Sequence, residues 1–218
     1  MHFIDSVIKF MVAGGLWVVP ILLVGALGLG ITIERFIKLQ RAEIANRKMW
    51  DQLQPMLHKG EFEKARELTY NDKSYVSQLV NVGLQREGTV RRREDIEIPM
   101  DEVMLSIVPQ LEKRTPYTAL FANLATLLGL LGTIMGLIGA FEAVASAAPS
   151  EKSALLSSSI AEAMSCTAFG LLVAMPMLAA NLYLNLKAGT MIDSLGMVSL
   201  KTVNTISAFN AKNRNPQA

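Results

Sequence analysis

Residues 127–141, LLGLLGTIMGLIGAF, constrain the fold more than any other stretch of the chain. They hold no charge and place Gly129, Gly132, Gly136 and Gly139 at spacings of three, four and three. Residues three and four apart share a helix face, so these glycines form one flat stripe. In a water-soluble helix each would cost roughly 1 kcal/mol relative to alanine. In a membrane, small residues let helix backbones approach closely. The stretch therefore predicts a transmembrane helix packed against other helices, with Thr133 set among its glycines.

The rest of the chain fits that solvent. Of 218 residues, 51% are hydrophobic and 18% charged, and the charge concentrates in residues 34–114 and at the C-terminus. This is the pattern of an all-α integral membrane protein with one polar portion. A net charge of +2 gives no reason to expect nucleic acid. The single cysteine, Cys166, lies in an apolar segment and excludes an intrachain disulfide. His2 and His58 are too few and too separated for a metal site. No nucleophile–base set or phosphate loop occurs, so neither enzyme activity nor a cofactor is expected.

Taken in order, residues 1–13 place Phe3, Ile4, Val7, Ile8 and Met11 on one face, which predicts a short external amphipathic helix. Little positive charge precedes them and no cleavage site follows, which argues against a signal peptide. Residues 14–34 have the length of a first transmembrane helix. Arg35, Lys38, Arg41, Arg47 and Lys48 follow it, whereas only Lys9 precedes it. The positive-inside rule then places the N-terminus outside and residues 35–114 in the cytoplasm as a helical region. Within that region, helices are expected at 60–69, 75–84 and 100–112, with a turn at Asn71 and Asp72. The basic run Arg91, Arg92 and Arg93 reads as a solvated or headgroup-facing surface. A second span over 115–145, a short external loop over 146–152 and a third span over 153–187 bring the chain back inside. Residues 188–218 form a cytoplasmic C-terminal helix and tail, and the long helices are expected to extend into the cytoplasm.

Polar groups inside lipid need partners or water. The second span carries Asn123, Thr126 and Thr133 close to one face. The third aligns Thr167, Gly170, Ala174, Asn181 and Asn185 in another small, polar stripe. One reading is helix–helix glue, with hydroxyls and amides bonded to backbone carbonyls. The other is the lining of a shared, partly hydrated lumen formed by several copies. Glu162 also has two readings. Ser159-x-x-Glu162 fits a capping box at a helix start, and the carboxylate equally fits the mouth of a proton path. Glu162 and Thr167 lie five residues apart, about 140° around a helix, so both face one axis only if the helix is tilted or rotated. No Asp or Glu lies in the middle of any span. A proton path through this chain therefore needs an acid from a partner.

Two motifs now carry a resemblance. Residues 129–141 (GLLGTIMGLIGAF) and 160–176 (IAEAMSCTAFGLLVAMP), with Asn181 beyond, resemble the second-span and third-span signatures of the MotA/TolQ/ExbB proton-channel family, in its three-span ExbB/TolQ branch. Glu34-Arg35, the stretch 59–65 (KGEFEKA) and Gly83-Leu84 add weaker support. The resemblance implies a homopentamer in the bacterial inner membrane, with the second and third spans around a central pore. It implies an ExbD/TolR-like single-span partner that supplies an intramembrane aspartate, and a TonB/TolA-like transducer beyond it. Thr133, Glu162 and Thr167 fall where the family has pore-lining polar residues. Thr126 and Asn181 join them as proton-path candidates, and Gly129, Gly132, Gly136, Gly139 and Gly170 are the packing candidates. Two alternatives remain: a flagellar-type stator subunit, whose large cytoplasmic part sits between the second and third of four spans, and a non-conducting scaffold. Here the large polar part follows the first span.

Overall fold

A computed structural model describes residues 17–88 and 92–214, the side chains of 212–214 excepted. The expected helix at 1–13, Arg91 of the basic run and the last four residues of the tail lie outside the described residues. Of the described residues 91% are helical, and none is in a strand. The order is α1 (Val18–Lys59), α2 (Phe62–Tyr70), α3 (Tyr75–Gln85), α4 (Glu94–Glu112), α5 (Thr115–Ser146) and α6 (Lys152–Arg214). Three helical stretches are long and apolar enough to cross a membrane, one in α1, one in α4–α5 and one in α6. At about 1.5 Å per residue, α1, α5 and α6 each exceed the roughly 30 Å core of a bilayer.

The chain divides into two compact units. The first is formed by residues up to 35 and by 114–183. Its core is built from Val18, Ile21, Ala122, Ala125, Cys166, Phe169, Ala174 and Met177. Small residues dominate where α5 meets α6, and Gly129 and Gly132 are buried there. Outward, Val19, Leu23, Leu27, Leu127, Leu130, Phe141, Met164 and Met175 are more than half exposed. An apolar girdle of this extent is an outer surface for lipid or for other apolar helices.

The second unit is formed by 36–113 and 184–218. Its core is made of large aliphatic side chains, among them Leu39, Leu53, Leu79, Leu84, Met100, Ile107, Leu184 and Leu195. Helix α3 starts here for reasons local to the sequence. Ser74 caps it by accepting from the Ser77 amide at 3.2 Å, and Asp72 Oδ1 accepts from the Ser74 amide and the Ser77 hydroxyl, each at 2.8 Å. Burial pushes the Asp72 carboxyl up, but these hydrogen bonds outweigh it and hold the group below its ordinary value. Asn46, buried on α1, accepts from the Tyr75 amide at 3.0 Å and so satisfies a free donor of the same helix start. At Gly60, φ is +73° and the Phe209 ring covers the backbone, so glycine is required on both counts.

Two helix starts differ from the sequence expectation. Helix α4 begins at Glu94 rather than at 100, with Pro99 and Pro109 inside it. Glu94, Asp95 and Glu97 in its first turn favour the earlier start through the helix dipole. Helix α6 begins at Lys152, so Ser159 and Glu162 lie about two turns or more inside it. The capping-box reading of Glu162 is therefore withdrawn, because no free amide is left at that depth in a helix.

Candidate functional site

The site lies in the first unit, where α5 and α6 approach closely enough for backbone contact. A Cβ added to Gly170 would stand 2.7 Å from the Ala125 carbonyl oxygen and 3.0 Å from Gly129 Cα. One added to Gly129 would stand 3.2 Å from Gly170 Cα and 3.3 Å from Thr167 Cα. Any side chain larger than hydrogen would push the helices apart. Farther along, Gly132 faces the Cys166 sulfur, and Gly136 faces Ala163 with 2.9 Å available to a Cβ. Gly139 has nothing within 4 Å in this chain. Small residues on both helices thus set the spacing through more than two turns.

That spacing brings two hydroxyls together. Thr133 Oγ1 and Thr167 Oγ1 are hydrogen-bonding partners across the α5–α6 seam. Thr167 Oγ1 donates to the Gly129 carbonyl at 2.9 Å. Thr133 Oγ1 lies 3.1 Å from the same carbonyl and 3.4 Å from that of Ala163. With one proton on each hydroxyl, Thr167 bonds the Gly129 carbonyl while Thr133 chooses among Thr167 and the Gly129 and Ala163 carbonyls within its reach. Both threonines are half-buried, so the cluster reaches the edge of the seam instead of being sealed within it. A hydroxyl both accepts and donates, so the pair can accept from water while bonded to the backbone, and can pass a proton when a hydroxyl turns from its carbonyl.

The other candidates are dispersed. Thr126 Oγ1 bonds back to the Ala122 carbonyl at 3.2 Å, within its own helix and about two turns from Thr133. Asn181 donates from Nδ2 to the Thr115 carbonyl at 2.9 Å, tying α6 to the start of α5. Glu162 is exposed and is not among the hydrogen-bonding partners of the threonine pair. The described residues contain no group of three or more His, Cys, Asp or Glu able to hold a metal.

One contact had no forerunner in the motif reading. Arg114 holds a left-handed backbone (φ 65°) immediately before α5, and its Nη1 lies 2.9 Å from both Glu34 carboxylate oxygens. A left-handed arginine costs on the order of 1 kcal/mol or more, and the forked ion pair offsets part of it. Glu34-Arg35 stood out in the sequence, but nothing there gave its partner, 80 positions away.

The family model described as the MotA/TolQ/ExbB proton channel family matches residues 71–197. The chain belongs to that family. The candidate threonines, Glu162, Asn181 and the packing glycines fall within the matched range, whereas the whole of α1 precedes it. No curated protein matched the chain in a direct comparison. As a member of this family the chain is a multi-pass membrane protein of a proton-channel type, and the family is not a known enzyme family.

Proposed function

We propose that the chain is the channel subunit of the ExbB/TolQ branch, a homopentamer that conducts protons together with ExbD/TolR-like single-span helices in its pore. The partner contributes the intramembrane aspartate, and the proton motive force drives work on the cell envelope through a TonB/TolA-like transducer. Each proton crossing 100 mV releases about 2.3 kcal/mol, enough for a few to drive a conformational step. The subunit lies in a bacterial inner membrane with its N-terminus outside and its C-terminus inside, as the positive charge after the first span favours. Residues 35–114 and 188–218 are then cytoplasmic. The branch is favoured over the stator type because the large polar insert comes between the first and second spans.

The observation that carries the reading is the Thr133–Thr167 pair, half-exposed on helices with no acid of their own at mid-span. In the pentamer these hydroxyls line the pore and position the water or aspartate that takes the proton. Thr126 extends the same path along α5, Glu162 stands at its outer mouth and Asn181 at its inner end. The glycines of α5 and Gly170 hold the helices at the required spacing. To test this, Thr133→Val and Thr167→Val are co-expressed with the partner in cells. Loss of envelope work with intact assembly is expected from each, and full activity in both would remove the pore-lining role. A second reading, a non-conducting scaffold, draws on the bonds from both hydroxyls to backbone carbonyls of this chain. It predicts that both variants lower assembly instead of transport.

A further inference from the structure

Helix α4 has two faces. Ile96, Met100, Ile107 and Leu111 are buried in the core of the second unit. On the other side Ile98 is 59% exposed and Leu105 74%. They are seven residues apart, two turns along one stripe. Glu94, Asp95, Asp101 and Glu102 flank that stripe and are exposed. Arg93 pairs with Glu97 at the edge of the helix, and no ion pair occupies those four acids among the described residues. The face is thus apolar along its centre and negative at its margins.

The same unit presents the complement. Helix α1 buries Leu39, Met49, Leu53 and Leu57, and turns out Ile37 at 42% and Ile44 at 65% exposure. These are again seven apart, and Arg41, Arg47 and Lys48 flank them, exposed. The nearby acid Glu43 is already paired with Lys187 at 2.7 Å. The registers also correspond. Ile44 lies eight residues after Phe36, where the chain enters the unit, and Leu105 eight before Lys113, where its first segment ends. Lys48 and Asp101 lie twelve from those points, and Arg47 and Glu102 eleven. Equal helical rise places each pair at equal depth from those points.

We propose that the α4 face of one copy docks on the α1 face of the next, head to tail. Leu105 seats against Ile44, and Asp101 and Glu102 pair with Lys48 and Arg47. The two faces lie on different helices, so the contact is heterologous and closes only as a ring. The proposal deepens the oligomeric reading above and rests on it. Charge complementarity selects a second copy as occupant, because one unit carries both halves of the match. Opposite potentials would fix the register of neighbours around the Leu105–Ile44 contact, while Ile98 and Ile37 fall outside that register, opposite Asp51 and Glu112.

The test uses the full chain in membranes, with Cys166→Ala as background. Two differently tagged copies, one Ile44→Cys and one Leu105→Cys, are co-expressed and oxidised, so that a bond between the tags can only join two chains. A mixed disulfide is expected, well above the product from either variant alone. Asp101→Lys with Glu102→Lys in the Leu105→Cys copy should lower it roughly tenfold, and Arg47→Glu with Lys48→Glu in the other copy should restore it. Particles whose native mass shows several copies, yet which give no excess of mixed product, would overturn the docking and leave the oligomer standing. A monomeric native mass would overturn the oligomeric reading and the docking with it. Reversals on α1 that strip anionic lipid without changing the cross-link yield would assign that face to lipid, and equally overturn the proposal.

Discussion

The two units solve helix packing in opposite ways. In the second, Leu53, Leu79, Leu84 and Met100 are buried to the last few per cent of their surface, and side-chain volume holds the helices. In the first, α5 and α6 meet through Gly129, Gly170, Ala125 and Ala163, where the contact is backbone against backbone. The solvent explains the contrast. In water, burying leucine is favourable; in lipid it gains little, so close approach and hydrogen bonding take over. Removing volume should therefore damage the second unit, and adding it should damage the first.

The largest effect is expected from Leu53→Ala, about 2–5 kcal/mol lost in denaturant unfolding of the purified protein, because its side chain is fully buried. A smaller loss would mean that this core relaxes as easily as the lipid-facing one. Gly170→Ala is next, at about 1–3 kcal/mol, since its new methyl meets the Ala125 carbonyl and cannot displace it cheaply. The same methyl at Gly139 meets nothing within 4 Å in this chain and should change stability by less than about 0.5 kcal/mol. Equal losses at the two glycines would break the distinction. Asn46→Ala should cost about 1 kcal/mol by leaving the Tyr75 amide at the start of α3 without its acceptor, read from the same unfolding curves.

The smallest effect is one of pH. Asp72 has a folded pKa below its ordinary value, so its contribution to stability is present above the unfolded pKa, about 3.9, and disappears as pH falls through the folded one. Asp72→Asn should flatten that acid limb of the melting temperature against pH. An unchanged limb would assign acid sensitivity to other carboxylates.

Much of this architecture was legible before the coordinates. Three apolar runs and the charge between them gave the all-α membrane class, because hydropathy reports the solvent of each segment directly. Partners were less legible. The glycine spacing gave a packing face on α5, but periodicity could not say that Gly170 would be its counterpart. Thr133 and Thr167 were each on a polar stripe, yet their meeting depends on the axial register of α5 against α6, which no single-helix pattern contains. Helix starts misled where a local motif had a rival. Pro99 resembles a first-turn proline, but Glu94, Asp95 and Glu97 start α4 earlier. Ser159 and Glu162 have capping spacing, but helix formation already runs from Lys152.

The central claim is that the hydroxyl pair at the α5–α6 seam carries protons as well as holding helices. Valine has the volume of threonine without its hydroxyl, so Thr167→Val alters chemistry with little change in shape. Proton uptake into vesicles containing the chain and the proposed single-span partner, driven by an imposed potential and read with an internal pH dye, is the direct measurement. Thr167→Val should slow uptake by roughly tenfold or more at unchanged oligomer mass, and Thr167→Ser should retain most of it. Wild-type uptake by the valine variant would contradict the account and leave the seam as packing alone.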